Sequence, residues 1–333
     1  MRTDTALLST ESRTEEFPRA SDPAAWMPAD LGRSPAWLHD LTPNELMELS
    51  AMSRAVLRGG HAAVPDGSFL AWQMARTERE LRSGLGFRIL RGLPVRDLTE
   101  QAAAATFMAL SRCLGEPMEQ SRGVTLAHVR EEAENNPHGL GFRAAGTLPF
   151  HADLEDVIGF LCLRAAHCGG TRRFASAAAV YNILAADHPD QLRVLTRPFH
   201  VALQEPHPDY GHRWTRLPFV SVRDGVFNAC AYPVHIKRAQ KIAGVPELTA
   251  AQNRALEVFN EVADQVAVSL ELRSGDVEYF NNHVVLHSRT RFTGDGSERH
   301  LLRVWLSMAD FRPLDAEHPI RLRRKGKERP PAA

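Results

Sequence analysis

From Val266 onward the chain offers little but short β-rich runs separated by turns. Val266 to Leu272, Val277 to Phe280, Val284 to Leu286 and Leu301 to Ser307 are rich in β-branched and aromatic residues. Ser274-Gly275-Asp276 and Thr293-Gly294-Asp295-Gly296 punctuate them. Similar runs lie upstream at Gly86 to Pro94, Val157 to Leu163, Phe199 to Leu203 and Phe219 to Ala231, the last with an Asp224-Gly225 hairpin turn. Helical spacing is found mainly before and between these runs. Thr42 and Glu45 form a capping-box pattern ahead of a helix reaching about Arg58, and Ser68 to Ser83 reads as a second. Thr99 caps a helix to about Cys113, Ala175 to His188 reads as another, and Thr249 caps one to Gln265. The pattern predicts an α+β fold, mainly β: a barrel or jelly roll decorated by flanking helices.

The chain of 333 residues shows no internal repeat and no linker. The expected division is an N-terminal extension with helices packed on the core (1–85), a core (86–312) and a basic C-terminal tail (313–333). Trp26 and Trp37 lie between prolines, in a loop expected to pack on something larger. Residues 118–146 have little periodicity and read as a long loop, which in a compact domain is more often functional than idle. A net charge of +0 leaves no footprint for a polyanion, so no nucleic-acid partner is expected. The basic run Arg321 to Arg329 is expected to be a solvated, frayed end. No apolar run is long enough for a membrane span and no signal peptide is visible. The four cysteines form no Cys-x-x-Cys pair, which fits reduced thiols in a cytoplasmic protein.

Chemistry enters at Thr147-Leu-Pro-Phe-His-Ala-Asp153. Residues two apart on a strand share a face, so His151 and Asp153 would present an imidazole and a carboxylate at one spot. Alone, such a pair is weak, since the chain holds 15 histidines. A second histidine from far away, His287 in Asn281-Asn-His-Val-Val-Leu-His-Ser-Arg-Thr-Arg291, completes a different picture. Two histidines and one carboxylate, leaving open positions, suit the facial triad of a non-haem Fe(II) oxygenase.

With Leu148-Pro-Phe-His-Ala-Asp153, then Gly169-Gly170, Val180-Tyr181-Asn182, Asn282 to His287 and Arg299-His-Leu-Leu-Arg-Val-Trp305, the chain resembles the Fe(II)/2-oxoglutarate-dependent dioxygenases of the TauD/TfdA, clavaminate synthase-like group from about Gly86 to Asp310. The resemblance implies a double-stranded β-helix core. It implies that His151, Asp153 and His287 ligate iron, and that Arg299, 12 residues after His287, pairs with the distal carboxylate of 2-oxoglutarate. It implies oxidation of an unactivated C–H with O2, most simply a hydroxylation, releasing succinate and CO2. Desaturation or ring closure would use the same residues. Relatives place a hydroxyl after the Gly-Gly turn to assist the co-substrate. Here Thr171 offers that hydroxyl, but Arg172 stands where it usually falls.

Arg303, four residues after Arg299, and Arg172 are candidates to hold a small substrate, an amino acid or natural-product intermediate with an anionic group. Residues 118–146 and Gln204 to Trp214 are expected to line its pocket. A homo-oligomer stays open. His283 and the His167-Cys168 pair are weaker metal candidates, and neither a serine-nucleophile elbow nor a phosphate loop is present. Two readings compete with the oxygenase: a cupin-like metal-binding protein without turnover, and a jelly-roll metal isomerase. Neither has a need for Arg299 at its spacing.

Overall fold

Strand β15 (His300–Ser307) buries both of its faces. Leu302, Val304 and Leu306 belong to one apolar cluster, while Leu301 and Trp305 belong to another. Such two-sided burial explains a hydrophobic run without polar alternation. In this computed structural model residues 17–33, 35–60, 62–121, 123–130, 148–165, 171–223, 225–290 and 299–328 are described. Within them β15 lies in a seven-stranded sheet. Its order is β1 (Leu38–Asp40), β2 (Phe87–Arg91), β13 (Val277–Asn281), β6 (Val157–Arg164), β15 and β3 (Glu116–Met118), with β4 (Leu126–Arg130) also paired to β15. A four-stranded sheet runs β12 (Val268–Leu270), β7 (Arg172–Ser176), β14 (Val285–Arg289), β5 (Leu148–His151). The β1–β2 pair is parallel, whereas the pairs within the smaller sheet are antiparallel.

The two sheets meet through aromatic rings. Phe174 of the smaller sheet lies 4.8 Å from Phe87 and 5.6 Å from Phe280 of the larger, centroid to centroid. Trp26 closes the end of this layer, 5.5 Å from Phe87, and its indole donates to Leu85 O at 2.9 Å. The outer face of the larger sheet is covered by α2 (Pro43–Leu57), α3 (Phe69–Ser83) and α4 (Glu100–Arg112). Their Leu49, Met74 and Phe107 pack with Leu161, Tyr279 and Leu302. Full burial of each such side chain contributes about 1.5–3 kcal/mol, so this layer holds the helices against the sheet. The architecture is the expected one: α+β, mainly β, a double-stranded β-helix with flanking helices.

Several local readings are corrected. Ala175 and Ser176 belong to β7, not to the helix after it, because pairing with β14 overrides the helix propensity of alanine. Ser176 then caps α5 (Ala177–Asp187), accepting from Ala179 N at 2.9 Å. Two short helices, α6 (Pro189–Leu195) and α7 (Pro233–Ala239), start at prolines and are too brief to show a helical period. Leu126–Arg130, read as loop, is β4, held by its register with β15. Residues 131–147, 166–170 and 291–298 lie outside the described set, and with them the rest of that loop, the His167-Cys168 pair and the Gly169-Gly170 and 293–296 turns. The N-terminal part is continuous with the core, since β1 extends the larger sheet beside β2. The C-terminal tail is not frayed from its start: Pro319–Glu328 forms a helix, α9, with Ile320 and Leu322 buried.

Candidate active site

In the smaller sheet His287 of β14 stands directly opposite His151 of β5, and opposite Phe174 of β7 on its other side. Cross-strand partners share a face, so both imidazoles look toward the layer of aromatic rings between the sheets. Their centroids are 4.3 Å apart. β5 ends at His151, so Asp153 sits just past the strand. It turns back all the same, and its Oδ2 lies 3.2 Å from His287 Nε2. One ligand atom each from His151, Asp153 and His287 falls within 4.8 Å of the others.

The electrostatics favour a cation at this point. Burial pushes the His151 imidazole down to about 3, with the charge of His287 acting the same way. Burial also lowers His287. For Asp153 burial acts upward, but the His287 hydrogen bond and the Arg303 charge outweigh it and hold the carboxyl below its ordinary value. Two neutral imidazoles and one carboxylate are the donor set of a divalent first-row ion, and they fit Fe(II). The His151 Nδ1 lies 2.8 Å from the carbonyl of Pro149. That contact suits an Nδ1–H donor and leaves Nε2 free to ligate, the usual support of a metal-bound histidine.

The arginines sort themselves by strand parity. Arg289 lies two residues beyond His287 and opposite Arg172, so both share the face of the imidazoles. Arg299 immediately precedes β15 and is buried, as are Arg172, Arg289 and Arg303. Burial, then the charges of Arg172 and Arg289, push Arg299 down to about 9, an unusual value for a guanidinium. Arg172 is committed to Glu278, its Nε donating at 3.0 Å, and stacks 3.8 Å from the Phe160 ring centroid. Arg172 therefore takes the inward-facing position at the start of β7. Thr171 has the opposite parity, and its backbone N–H donates to the Thr290 hydroxyl at 3.0 Å. Arg303 lies opposite Phe160 in the larger sheet. Its Nε donates to Gln120 Oε1 at 2.5 Å, and Gln120 Nε2 donates to the Arg303 carbonyl at 2.8 Å. Gln204 Nε2 donates to Gln120 O at 3.3 Å, so the two expected pocket segments meet beside Arg303.

Four supporting groups escaped the sequence reading. Arg289 was legible from its i+2 spacing to His287. Glu278 and Gln120 carried no local signal, because each matters only through its cross-barrel partner. The last is the anchoring of the segment after Asp153. Asn282 accepts from Asp153 N at 3.2 Å and donates to Glu155 O at 2.9 Å. Arg323 of α9 donates to Leu154 O at 2.5 Å and forms an ion pair with the buried Glu155. His283 is no ligand here: it lies buried 3.0 Å from Asp156.

Residues 60–305 match the taurine catabolism dioxygenase TauD, TfdA family. The chain belongs to this family. It is similar to the taurine hydroxylase-like protein SAT17 of Stachybotrys chartarum, 28% identical over 236 residues, a match covering 66% of this chain and 60% of that one. It is 26% identical over 251 residues to the FR-33289 synthase of Streptomyces rubellomurinus, covering 72% and 74%. Among solved structures, an asparagine oxygenase in complex with Fe(II), 3-hydroxyasparagine and succinate superposes with a TM-score of 0.63 at 17% identity, covering 81% of this chain and 93% of that one. The non-haem iron oxygenase OrfP, with Fe and alpha-ketoglutaric acid, gives 0.56 at 21% identity, covering 81% and 94%. Membership of this dioxygenase family supports the 2-oxoglutarate-dependent oxygenase and not the cupin-like or isomerase alternatives. No helix among the described residues is long and apolar enough to cross a membrane.

Proposed function

We propose that the chain binds Fe(II) through His151, Asp153 and His287 and 2-oxoglutarate through Arg299, and hydroxylates an amino acid or a small natural-product intermediate. The convergence of the three ligand atoms within 4.8 Å, facing the same interior as Arg299, carries this reading. Fe(II), 2-oxoglutarate and O2 together supply the oxidant for an unactivated C–H, with succinate and CO2 leaving. The chain's part is to hold and to exclude. Pro149 fixes the His151 ring, and Arg299 receives the distal carboxylate of the co-substrate. A desolvated guanidinium repelled by Arg172 and Arg289 gains more from a dicarboxylate than an exposed one would. Arg172 supports that end of the pocket through Glu278. Thr171 faces the other way, and its hydroxyl is given no part. Phe160, Phe174 and Phe280 keep water out, which strengthens each of these attractions.

Arg303 is the arm for the substrate. Its charge reaches both Asp153 and His287, and Gln120 orients its Nε. A substrate carboxylate held there would place its neighbouring carbons near the metal ligands. The asparagine oxygenase neighbour carries 3-hydroxyasparagine, and OrfP has also been solved with (3S)-hydroxy-L-Arg, which favours this substrate class. The described cysteines, Cys113, Cys162 and Cys230, are free, in keeping with a cytoplasmic setting. The test is succinate release in the presence of Fe(II), 2-oxoglutarate and O2 over a panel of amino acids and small carboxylates. Succinate that appears with at least one substrate, in step with an oxygenated product, supports the proposal. Absence of Fe(II)-dependent 2-oxoglutarate binding would overturn it.

A further inference from the structure

The face of β15 that looks away from the active site carries a second convergence of metal-binding groups. His300 lies opposite Arg130 of β4, and Leu302 lies opposite His128. Opposed residues share a face, so His300, His128 and Arg130 all project to the outer side of the larger sheet, under the start of α4. Glu100, the first residue of α4 after its Thr99 cap, reaches the same point. His128 Nδ1 lies 2.9 Å from His300 Nε2 and 3.4 Å from Glu100 Oε1. The other Glu100 oxygen is 3.7 Å from His300 Nδ1. One ligand atom from each of the three residues falls within 4.8 Å of the rest, as is also true of the active-site triad.

We propose that Glu100, His128 and His300 form a second metal site, distinct from the catalytic one, for a borderline divalent ion such as Zn2+. Two imidazole nitrogens and a carboxylate oxygen are the ligand types that ion takes, with water completing a tetrahedron. At metal–ligand distances of about 2.0–2.1 Å, ligand atoms of a tetrahedral ion stand about 3.3 Å apart, so the rings need to part by only a few tenths of an ångström. The site is built from three separate elements, and two of its ligands are fixed by strand register. His300 is buried while the side chains of His128 and Glu100 are about half exposed, so one ligand is anchored and an ion has a way in. Two features oppose the ion. The rings can instead share a single proton, and Arg130 pairs with Glu100 at 3.2 Å, competing for its carboxylate. The second feature gives the proposal a distinctive test.

The experiment is equilibrium dialysis of the chelator-stripped full-length protein against Zn2+, with metal counted per chain. The catalytic triad takes Zn2+ as well, so the wild type should bind two ions. His128→Ala should bind one, and a His151→Ala, Asp153→Ala double variant should also keep one. Loss of a ligand should weaken the second ion at least ten- to a hundredfold, the range seen for lesser changes around a metal. Arg130→Gln, which frees Glu100, should tighten it, an effect a purely structural histidine pair would not show. A single wild-type ion that survives in His128→Ala and is lost in the double variant, or a His128→Ala variant that keeps two, would overturn the proposal and leave the cluster a proton-sharing pair. Failure of the active-site reading would show differently, as a single wild-type ion that the double variant keeps and His128→Ala loses.

Discussion

Replacing Arg299 by glutamine should cost the protein most of its 2-oxoglutarate affinity. The residue is only 6% exposed, and burial together with Arg172 and Arg289 already pushes its pKa down to about 9. Breaking a buried charge pair by removing one partner costs about 3–5 kcal/mol, because the other charge stays behind without water. Here that stranded charge would be the distal carboxylate of the co-substrate. The loss should fall at the lower end of the range, because Arg172 and Arg289 remain and still attract an anion. About 3 kcal/mol corresponds to roughly a 150-fold rise in Kd. Lysine should recover part of it, since it restores the charge but not the two-pronged fork. The assay is an anaerobic titration of the Fe(II)–2-oxoglutarate charge-transfer absorbance, alongside Fe(II) binding measured without co-substrate. Fe(II) affinity should stay level while 2-oxoglutarate affinity falls. Equal 2-oxoglutarate affinities in wild type and Arg299→Gln would refute the reasoning.

Single alanine substitutions at His151, Asp153 and His287 should each abolish Fe(II)-dependent turnover with the fold intact. Metal binding and circular dichroism check this, and full activity in His287→Ala would remove that residue from the ligand set. Arg303→Gln should raise the KM for substrate about tenfold or more, from the loss of one charge-assisted hydrogen bond of about 1.5–3 kcal/mol, and leave iron binding unchanged. Steady-state kinetics with unchanged KM would take Arg303 out of the pocket. Arg323→Ala should destabilise the protein by about 3 kcal/mol or more, because it strips a partner from the fully buried Glu155. Denaturant unfolding reads this directly, and a midpoint within error of wild type would mean α9 adds nothing to the segment behind Asp153.

Much of the candidate site was legible because its signals are local or periodic. His151 and Asp153 announce themselves as neighbours, and the β-rich surroundings of His287 say that it lies on a strand. What sequence does not carry is which strands lie opposite. Nothing near Glu278 reveals that it will meet Arg172, 106 residues away, and nothing near Gln120 points to Arg303, 183 residues away. The tail misled for a related reason. Its basic residues look solvated, yet Arg323 and Arg324 reach the carboxylates of Glu155 and Asp156, which the fold buries just after Asp153. A charged run reads as surface until the buried acids that call for it are known.

Strand β15 shows how far parity alone can go. Alternation from Leu301 predicts that Arg299, Arg303 and Trp305 share one side and His300 and Leu302 the other, and the division of the apolar clusters follows that split. Parity also says that Arg299 and His300, adjacent in the chain, serve opposite faces of one sheet. It cannot say what lies across from each. The inner partner is a set of arginines brought by β7 and β14, and the outer one is a histidine from β4 with a glutamate from the first turn of α4. The same backbone segment thus positions the residues proposed as the co-substrate anchor and as a ligand of a second metal ion. Whatever stiffens His300 also bears on the residue beside it, so the two sites should be measured in the same protein.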